Sequence, residues 1–140
     1  MDPVARLLAI EELRQLKARY CRHVDAGEWD AFEALFLPDA IVEYGIRPFA
    51  TPAEMVEFFR DLLVGGSTVH HVHQPEIDII DERSARGTWA FHDRVQLADG
   101  HPVASWEGDG RYWETYRKVD GRWLIESLRT ERLRQGPLRA

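Results

Sequence analysis

Residues 87–97 constrain the fold more than any other segment, because apolar and polar side chains alternate along them. Successive side chains of a strand point to opposite faces, so this period of two predicts a half-buried strand. The buried face would carry Trp89, Phe91, Asp93, Val95 and Leu97. Burying an ionised carboxylate costs several kcal/mol unless the charge is paired. Asp93 is therefore predicted either to form a structural ion pair or to belong to a functional site.

The patterns along the chain predict helices first and strands afterwards. Apolar side chains recur every three or four residues along 4–24, which predicts an amphipathic helix. A second, short helix is predicted from Trp29 to Phe36. Pro38 and Asp39 predict a turn, and Thr51, Pro52 and Glu54 form the capping box of a third helix. The predicted strands cover 41–44, 67–80, 84–97, 104–118 and 121–133, and Asp120-Gly121 predicts a two-residue hairpin between the last two. Glycines at 87, 108 and 110 predict a strongly curved sheet.

These elements predict an α+β fold in which N-terminal helices cover a curved antiparallel or mixed sheet that encloses a pocket. With 140 residues the chain is expected to form a single domain, with a core over 5–133 and a C-terminal tail at 134–140. The net charge of −6 and scattered basic residues argue against a nucleic-acid partner. No leader and no long apolar run is apparent, so we expect a cytoplasmic protein without a membrane partner.

Tyr20 and Asp25 are candidate functional residues on the first helix. Tyr20 lies on the apolar stripe, so its hydroxyl needs a partner inside the protein. Asp25 lies at the helix end, where the macrodipole disfavours a negative charge. An alternative is that Asp25 caps the next helix near residues 28–30. Cys21, the single cysteine, excludes a disulfide framework and a cluster of thiolate zinc ligands.

Three histidines lie close together in the segment that follows the third helix. His71 and His73 would share one face of a regular strand and His70 the other. Alternate histidines can bind a metal, but no third ligand follows at regular spacing, so no metal is predicted. A general base needs only one ring. Pro75 cannot donate to a ladder and often marks a bulge, which would turn His70 inward instead.

Several segments resemble a known family. The chain is similar to the SnoaL-like branch of the nuclear transport factor two-like superfamily, in particular to the scytalone dehydratase and bile acid dehydratase group. The resemblance is carried by residues 16–32, 35–40, 70–77, 85–90 and 112–125. It implies a cone-shaped α+β barrel with a pocket at its wide end.

The resemblance also implies roles for individual residues. Tyr20, Asp25, His70 and Asp93 match the catalytic positions of the dehydratases, with Asp93 orienting the substrate. Tyr44 resembles a substrate-contacting tyrosine, and His73, Trp89 and Trp29 complete the predicted substrate contacts. The family commonly forms dimers or trimers, so we expect a homo-oligomer.

The sequence thus favours a cofactor-independent dehydratase or isomerase acting on a small, hydrophobic, cyclic carbonyl compound. An Asp25–His70 dyad would move the proton, and Tyr20 would donate to the carbonyl oxygen. One alternative is a protein of the same fold that only binds a small ligand or a partner, with Asp93 bridged to an inward arginine such as Arg129. Another is a polyketide cyclase or an activity like that of an epoxide hydrolase.

Overall fold

The computed structural model describes residues 1–45 and 47–139, and its helices precede most of a curved six-stranded sheet. The helices are α1 Pro3–Ala26, α2 Trp29–Glu33 and α3 Pro52–Leu62. The strands are β1 Phe36–Tyr44, β2 Arg47–Phe49, β3 Ser67–Ile79, β4 Ser84–Gln96, β5 Trp106–Val119 and β6 Arg122–Pro137. The predicted α+β class is confirmed.

The sheet is mixed and open. Its strand order is β2-β1-β6-β5-β4-β3, so β2 and β3 are the two edges. β1 pairs with β6 in parallel, and the other neighbours are antiparallel. The helices lie over one face, where α1 packs against β3 and β6 and α3 packs against β1. This arrangement is the predicted cone, although the sheet curves without closing into a barrel.

Local signals in the sequence account for the helix ends. The Asp2 carboxylate accepts from the amide of Ala5 and caps α1, which Gly27 ends with a positive φ of 69°. The Thr51 hydroxyl accepts from the amide of Glu54, as the capping box predicts. Glu54 reaches back to the amide of Ala50, one residue before the cap.

The core lies between the helices and the concave face of the sheet. The alternation predicted for residues 87–97 is confirmed, because every second side chain from Ala85 to Leu97 is buried. Side chains of α1 fill the other side of the same core. The buried side chains of this core include Leu13, Leu16, Tyr20, Phe32, Val42, Trp89, Phe91, Tyr112, Tyr116 and Ile125.

Three predictions of local structure were wrong. Pro38 and Asp39 lie inside β1, because that strand starts at Phe36 and runs beside β6. The short helix α2 therefore ends at Glu33, before the predicted Phe36. Residues 134–137 continue β6 against β5, where a tail was expected. β2 is only three residues long, too short for its alternation to be recognised in the sequence.

The hairpin at residues 119–122 was predicted correctly. Val119 and Arg122 pair across it, and Asp120 and Gly121 both have positive φ, at 49° and 78°. A two-residue hairpin of this type requires positive φ at both central positions, for which Asp-Gly is a preferred pair. The turn fixes the β5–β6 register near the tip of the hairpin, and further along β6 two bulges shift that register.

Candidate active site

Asp25 and His70 form a hydrogen-bonded pair between the end of α1 and the edge strand β3. The distance from Asp25 Oδ1 to His70 Nδ1 is 2.7 Å. The same carboxylate accepts from the Thr68 hydroxyl at 2.8 Å and from the backbone amide of His70 at 2.9 Å. Asp25 therefore fixes both the backbone and the ring of His70. The interpretation of Asp25 as a cap for α2 was wrong, since Glu28 is the cap residue of that helix.

The pairing sets the chemistry of the imidazole. An ionised carboxylate can only accept, so Nδ1 of His70 carries the proton that it donates to Asp25. This tautomer leaves Nε2 as the basic nitrogen. The His70 side chain is 12% exposed and Asp25 is 26% exposed, so the pair is only partly shielded from solvent. A base held in this way can take up and return a proton.

A bulge in β3 decides which histidine faces inward. The register with β4 shifts between His73 and Glu76, and Gln74 has a positive φ of 50°. A residue without glycine's freedom seldom adopts that conformation, so the chain is bent at this point. As a result His70 shares the inner face with Ile77 and Ile79, while His71 and His73 are exposed. The predicted contact of His73 with a substrate has no support in this placement.

Tyr20 and Tyr44 meet through their hydroxyl groups, whose oxygen atoms are 2.6 Å apart. Burial raises the pKa of both phenols, so both remain protonated at neutral pH. Two hydroxyls share one hydrogen bond between them, which leaves the second proton available for another acceptor. Tyr112 packs edge-on against Tyr20 with ring centroids 5.6 Å apart, and burial also raises its pKa. The pair can donate a hydrogen bond to an oxygen atom.

Asp93 lies opposite His70 in the β3–β4 pair and binds Arg132 from β6 through both carboxylate oxygens, at 2.8 and 2.5 Å. Its side chain is 4% exposed. Burial lowers the pKa of the Arg132 guanidinium, but the hydrogen bonds and charge of Asp93 outweigh this effect and raise it. The buried acid of the sequence thus has a charged partner beside the histidine.

Arg129 was the wrong arginine for this pair. An extra residue in β6 at the Thr115/Tyr116 step of β5 reverses the inward and outward positions beyond it. Arg129 therefore lies over the ring of Trp113 at 5.5 Å, on the opposite face from Asp93. Gly108 makes room for Arg132, because a Cβ there would lie 3.0 Å from its guanidinium and 2.3 Å from a backbone oxygen.

Lys17 and Glu114 form a second buried ion pair, next to the tyrosines. Lys17 Nζ is 3.2 Å from Glu114 Oε2, and both side chains are almost completely buried. Glu114 also accepts from the Tyr116 hydroxyl, which accepts in turn from the indole of Trp89. Trp89 was predicted to contact the substrate, but the structure places its indole N–H in this core network.

Trp29, the last of the predicted substrate contacts, is half-buried and packs edge-on against Phe32.

Two open grooves, of about 690 and 950 Å³, lie outside the concave face, and neither is lined by Asp25 or His70. The first follows the outer face of the sheet past Trp113 and Arg129. The predicted pocket inside the cone therefore stays a prediction.

Sequence reasoning missed Thr68, Arg132 and the pair of Lys17 with Glu114. Thr68 precedes His70 by two residues, so the strand period places both on one face. That signal was available once His70 was chosen. The inward direction of Arg132 depends on a bulge, and a bulge leaves no dependable trace in the periodicity.

Within residues 1–45 and 47–139, no group of three or more His, Cys, Asp or Glu side chains is placed to hold a metal ion. In that part of the chain no helix is both long enough and apolar enough to cross a membrane. The candidate site consists of the Asp25–His70 pair, the Tyr20–Tyr44 pair and the Asp93–Arg132 pair.

Comparison with known proteins identifies relatives over nearly the whole chain. Residues 5–129 match the profile of the SnoaL-like domain. The Probable cyclase FGR4 of Gibberella zeae is 28% identical over 136 residues, which cover 86% of this chain and 89% of that protein.

Solved structures share the fold. A protein of Novosphingobium aromaticivorans, provisionally named a scytalone dehydratase, has a TM-score of 0.86 at 19% identity and covers 99% of this chain and 93% of its own. The type 2 hexachlorocyclohexane dehydrochlorinase LinA has a TM-score of 0.85 at 18% identity, covering 99% and 95%. At these identities the likeness shows the fold.

Proposed function

The chain belongs to the SnoaL-like domain family, and from this premise we propose that it is a lyase that removes water from a small, apolar, cyclic carbonyl compound. The observation that carries the proposal is the 2.7 Å hydrogen bond between Asp25 and His70. It holds one imidazole in a fixed orientation on the inner face of the sheet, with Nδ1 directed at the carboxylate. The relatives named as a dehydratase, a dehydrochlorinase and a cyclase point to the same broad class of reaction.

The proposed reaction begins with proton transfer from carbon. His70 Nε2 takes a proton from the carbon next to the carbonyl group, and the electron pair of the broken C–H bond moves onto the carbonyl oxygen. The free proton of the Tyr20–Tyr44 pair stabilises the developing enolate by a hydrogen bond. The enolate then re-forms the carbonyl and expels a hydroxyl group from the next carbon. The imidazolium returns its proton to that group, so water leaves and a conjugated double bond forms.

Asp25 and Asp93 have supporting roles in this proposal. Asp25 already accepts three hydrogen bonds, so it is suited to orient His70 and to stabilise the imidazolium. Asp93 is held by Arg132 directly opposite His70, where the two side chains of a cross-strand pair are about 5 Å apart. An acid in this position can orient a substrate hydroxyl group.

The proposal is tested with a panel of cyclic β-hydroxy ketones, following the absorbance of the conjugated product. We expect turnover by the wild-type protein and its loss in H70A. His71 is the control position, since it is adjacent in sequence and exposed on the other side of β3. H71A should keep the activity. Equal turnover by H70A and wild type would sink the assignment of the base.

A cyclase is the second candidate, favoured by the 28% identical relative with that name. The first step would be the same, but the enolate carbon would attack a second carbonyl in the same molecule, forming a ring bond without loss of water. A substrate with two carbonyl groups and a β-hydroxyl group distinguishes the reactions, because mass spectrometry shows a loss of 18 Da only when water leaves.

Self-association stays a proposal that concerns the outer face of the sheet. Ile41 is 72% exposed and Trp113 is 40% exposed there, both along the 690 Å³ groove. A second copy of the chain could cover these side chains. Light scattering of the wild-type protein and of W113E would test it, with a shift to the monomer mass expected for the variant.

A further inference from the structure

Lys17 is a fully buried cation that the proposed reaction does not yet use. Its Nζ lies 3.6 Å from the ring centroid of Tyr20 and 3.5 Å from that of Tyr112, so the ammonium is held between two aromatic faces. The side chain is 1% exposed. Burial lowers the pKa of Lys17, while the charge of Glu114 opposes that effect. The two rings and the carboxylate together favour the charged form.

A buried ion pair is weak support for folding stability, because apolar side chains of similar volume often do as well. The place of this pair is more informative. One ring beneath the ammonium belongs to Tyr20, whose hydroxyl meets that of Tyr44 at 2.6 Å. Negative charge that reaches a phenol oxygen spreads into its ring, so a cation over the ring face stabilises it. The cation therefore acts on the group that is proposed to donate to the substrate.

The contacts behind Lys17 hold it in this position. Glu114 receives the ammonium through one carboxylate oxygen and the Tyr116 hydroxyl through the other. Tyr116 is fixed in turn by the indole of Trp89 at 2.9 Å. Three side chains from β4 and β5 thus fix the cation of α1 against Tyr20. Preorganised charge of this kind stabilises a developing oxyanion without rearrangement.

We propose that Lys17 is a positioning residue that strengthens Tyr20 as a hydrogen-bond donor to an oxyanion, with Glu114 holding it in place. The proposal rests on the function proposed above, because the oxyanion is the enolate of that reaction. Lys17 touches no substrate, and it acts through the ring of Tyr20.

The experiment uses 4-nitrophenol, whose neutral and ionised forms absorb differently, as a stable substitute for the enolate. A spectroscopic titration gives the ionisation of the bound phenol. The variant is K17M/E114Q, because Lys17→Met alone would leave a buried carboxylate without its partner. We expect the preference for phenolate over the neutral phenol to fall about tenfold, as for the loss of a desolvated cation–π contact.

The chain offers a matched control in its other lysine. Lys118 is paired with Glu12 at 3.7 Å and lies over the ring of Trp123 at 5.7 Å. Glu12 also accepts from the indole of Trp123, as Glu114 accepts from an aromatic hydroxyl. The variant K118M/E12Q removes the same kinds of contact far from Tyr20. It should leave the ionisation of the bound phenol unchanged.

A double-mutant cycle with Y20F separates positioning from packing. In the Y20F background the K17M/E114Q change should have no further effect on the ionisation of the phenol. Circular dichroism checks the fold, and K17Q/E114Q, a neutral pair that can still hydrogen-bond, replaces the first variant if that one is unfolded.

Three results would overturn the proposal: no change in K17M/E114Q, an equal change in K118M/E12Q, or no binding of the phenolate by the wild-type protein. Failure of the lyase proposal is seen separately in the panel of hydroxy ketones. Turnover that depends on His70 but is insensitive to K17M/E114Q would remove the role of Lys17 alone.

Discussion

Two histidine–aspartate pairs of nearly equal length lie on opposite faces of the same sheet. The distance from Nδ1 to Oδ1 is 2.7 Å for His70 with Asp25 and 2.8 Å for His92 with Asp109. The His70 side chain is 12% exposed, whereas that of His92 is 37% exposed. Hydrogen-bond length therefore does not separate a candidate base from an ordinary surface contact.

The two histidine–aspartate pairs differ in the groups that surround them. The Asp25 carboxylate also accepts from Thr68 and from a backbone amide, whereas Asp109 is shared with the exposed Arg134. The inner histidine stands opposite a buried acid that is paired with an arginine. Partial burial weakens screening by water, so charges on the inner face act more strongly on one another. The same pair of residue types thus belongs to the candidate site on one face and is a surface contact on the other.

Removing the two imidazoles should give the largest difference between the faces. We expect H70A to lower kcat by about 10²–10⁴, the usual contribution of a positioned acid or base. H92A should leave kcat unchanged. Steady-state kinetics on the substrate found in the panel, with circular dichroism to confirm folding, makes the comparison. A similar loss in both variants would contradict the assignment of the base to the inner face alone.

Breaking the ion pairs should distinguish the faces in stability. D93A would leave the Arg132 guanidinium, whose side chain is 29% exposed, without its bidentate partner. Loss of one partner from a buried pair costs about 3–5 kcal/mol, and the partial exposure of Arg132 places this case near 3 kcal/mol. D109A should have a much smaller effect, because solvent screens that pair.

Urea unfolding of D93A, D109A and the wild-type protein measures these effects. A smaller loss in D93A than in D109A would contradict the assignment of Asp93 as the buried, paired acid. A D93N variant adds a further check, since its amide can keep one hydrogen bond to Arg132 while removing the charge.

Gly110 tests the packing of the inner face, and Gly136 serves as its control. A Cβ at Gly110 would lie 2.6 Å from the ring of Phe91 and 2.3 Å from the carbonyl oxygen of Glu131, whereas one at Gly136 would meet nothing within 4 Å. We expect G110A to lower the free energy of unfolding by about 1–3 kcal/mol, the range for overpacking. G136A should be close to neutral. Equal melting temperatures for the two variants would contradict this packing.

The smallest expected effect is a change in the pKa of Asp109, in the His92–Asp109 pair on the outer face. Hydrogen bonds from His92 and Arg134 lower the pKa of Asp109 below its ordinary value. A carboxyl whose pKa is lowered by folding contributes stability above its unfolded pKa and loses it as the pH falls through the folded pKa. Carboxyl-carbon NMR should show the lowered pKa in the wild-type protein and a rise in H92A. An unchanged titration in H92A would show that His92 does not contribute to the shift.

Much of the fold was accessible from the sequence because its signals are local. The alternation at 87–97 predicted β4 and its buried face, and Thr51 with Glu54 marked the start of α3. The Asp-Gly pair at 120–121 located the hairpin. Such signals depend on backbone geometry within a few residues. β2 and the start of β1 escaped, since both depend on pairing with distant strands.

The candidate site was less accessible, because direction along a strand is lost at each bulge. Pro75 raised a bulge as one alternative, and the bulge found near Gln74 turns His70 inward and His73 outward. Nothing in the sequence indicated the bulge at the Thr115/Tyr116 step, which turns Arg132 inward in place of Arg129. Trp89 was placed on the correct face by its period, yet its indole belongs to the network around Glu114. The alternation of apolar and polar residues identifies the face on which a side chain lies, but not the side chain that it contacts.

The sequence by itself determined the class of fold, the helix caps, the hairpin and the presence of one acid on a buried strand face. These features follow from propensity and periodicity, which act within one element. Only the tertiary structure decided the partner of that acid, the histidine that meets Asp25 and the cation beneath Tyr20. The physical reason is that ion pairs and hydrogen bonds join residues far apart in the sequence, 97 positions in the case of Lys17 with Glu114. In addition, two bulges set which side chains face each other.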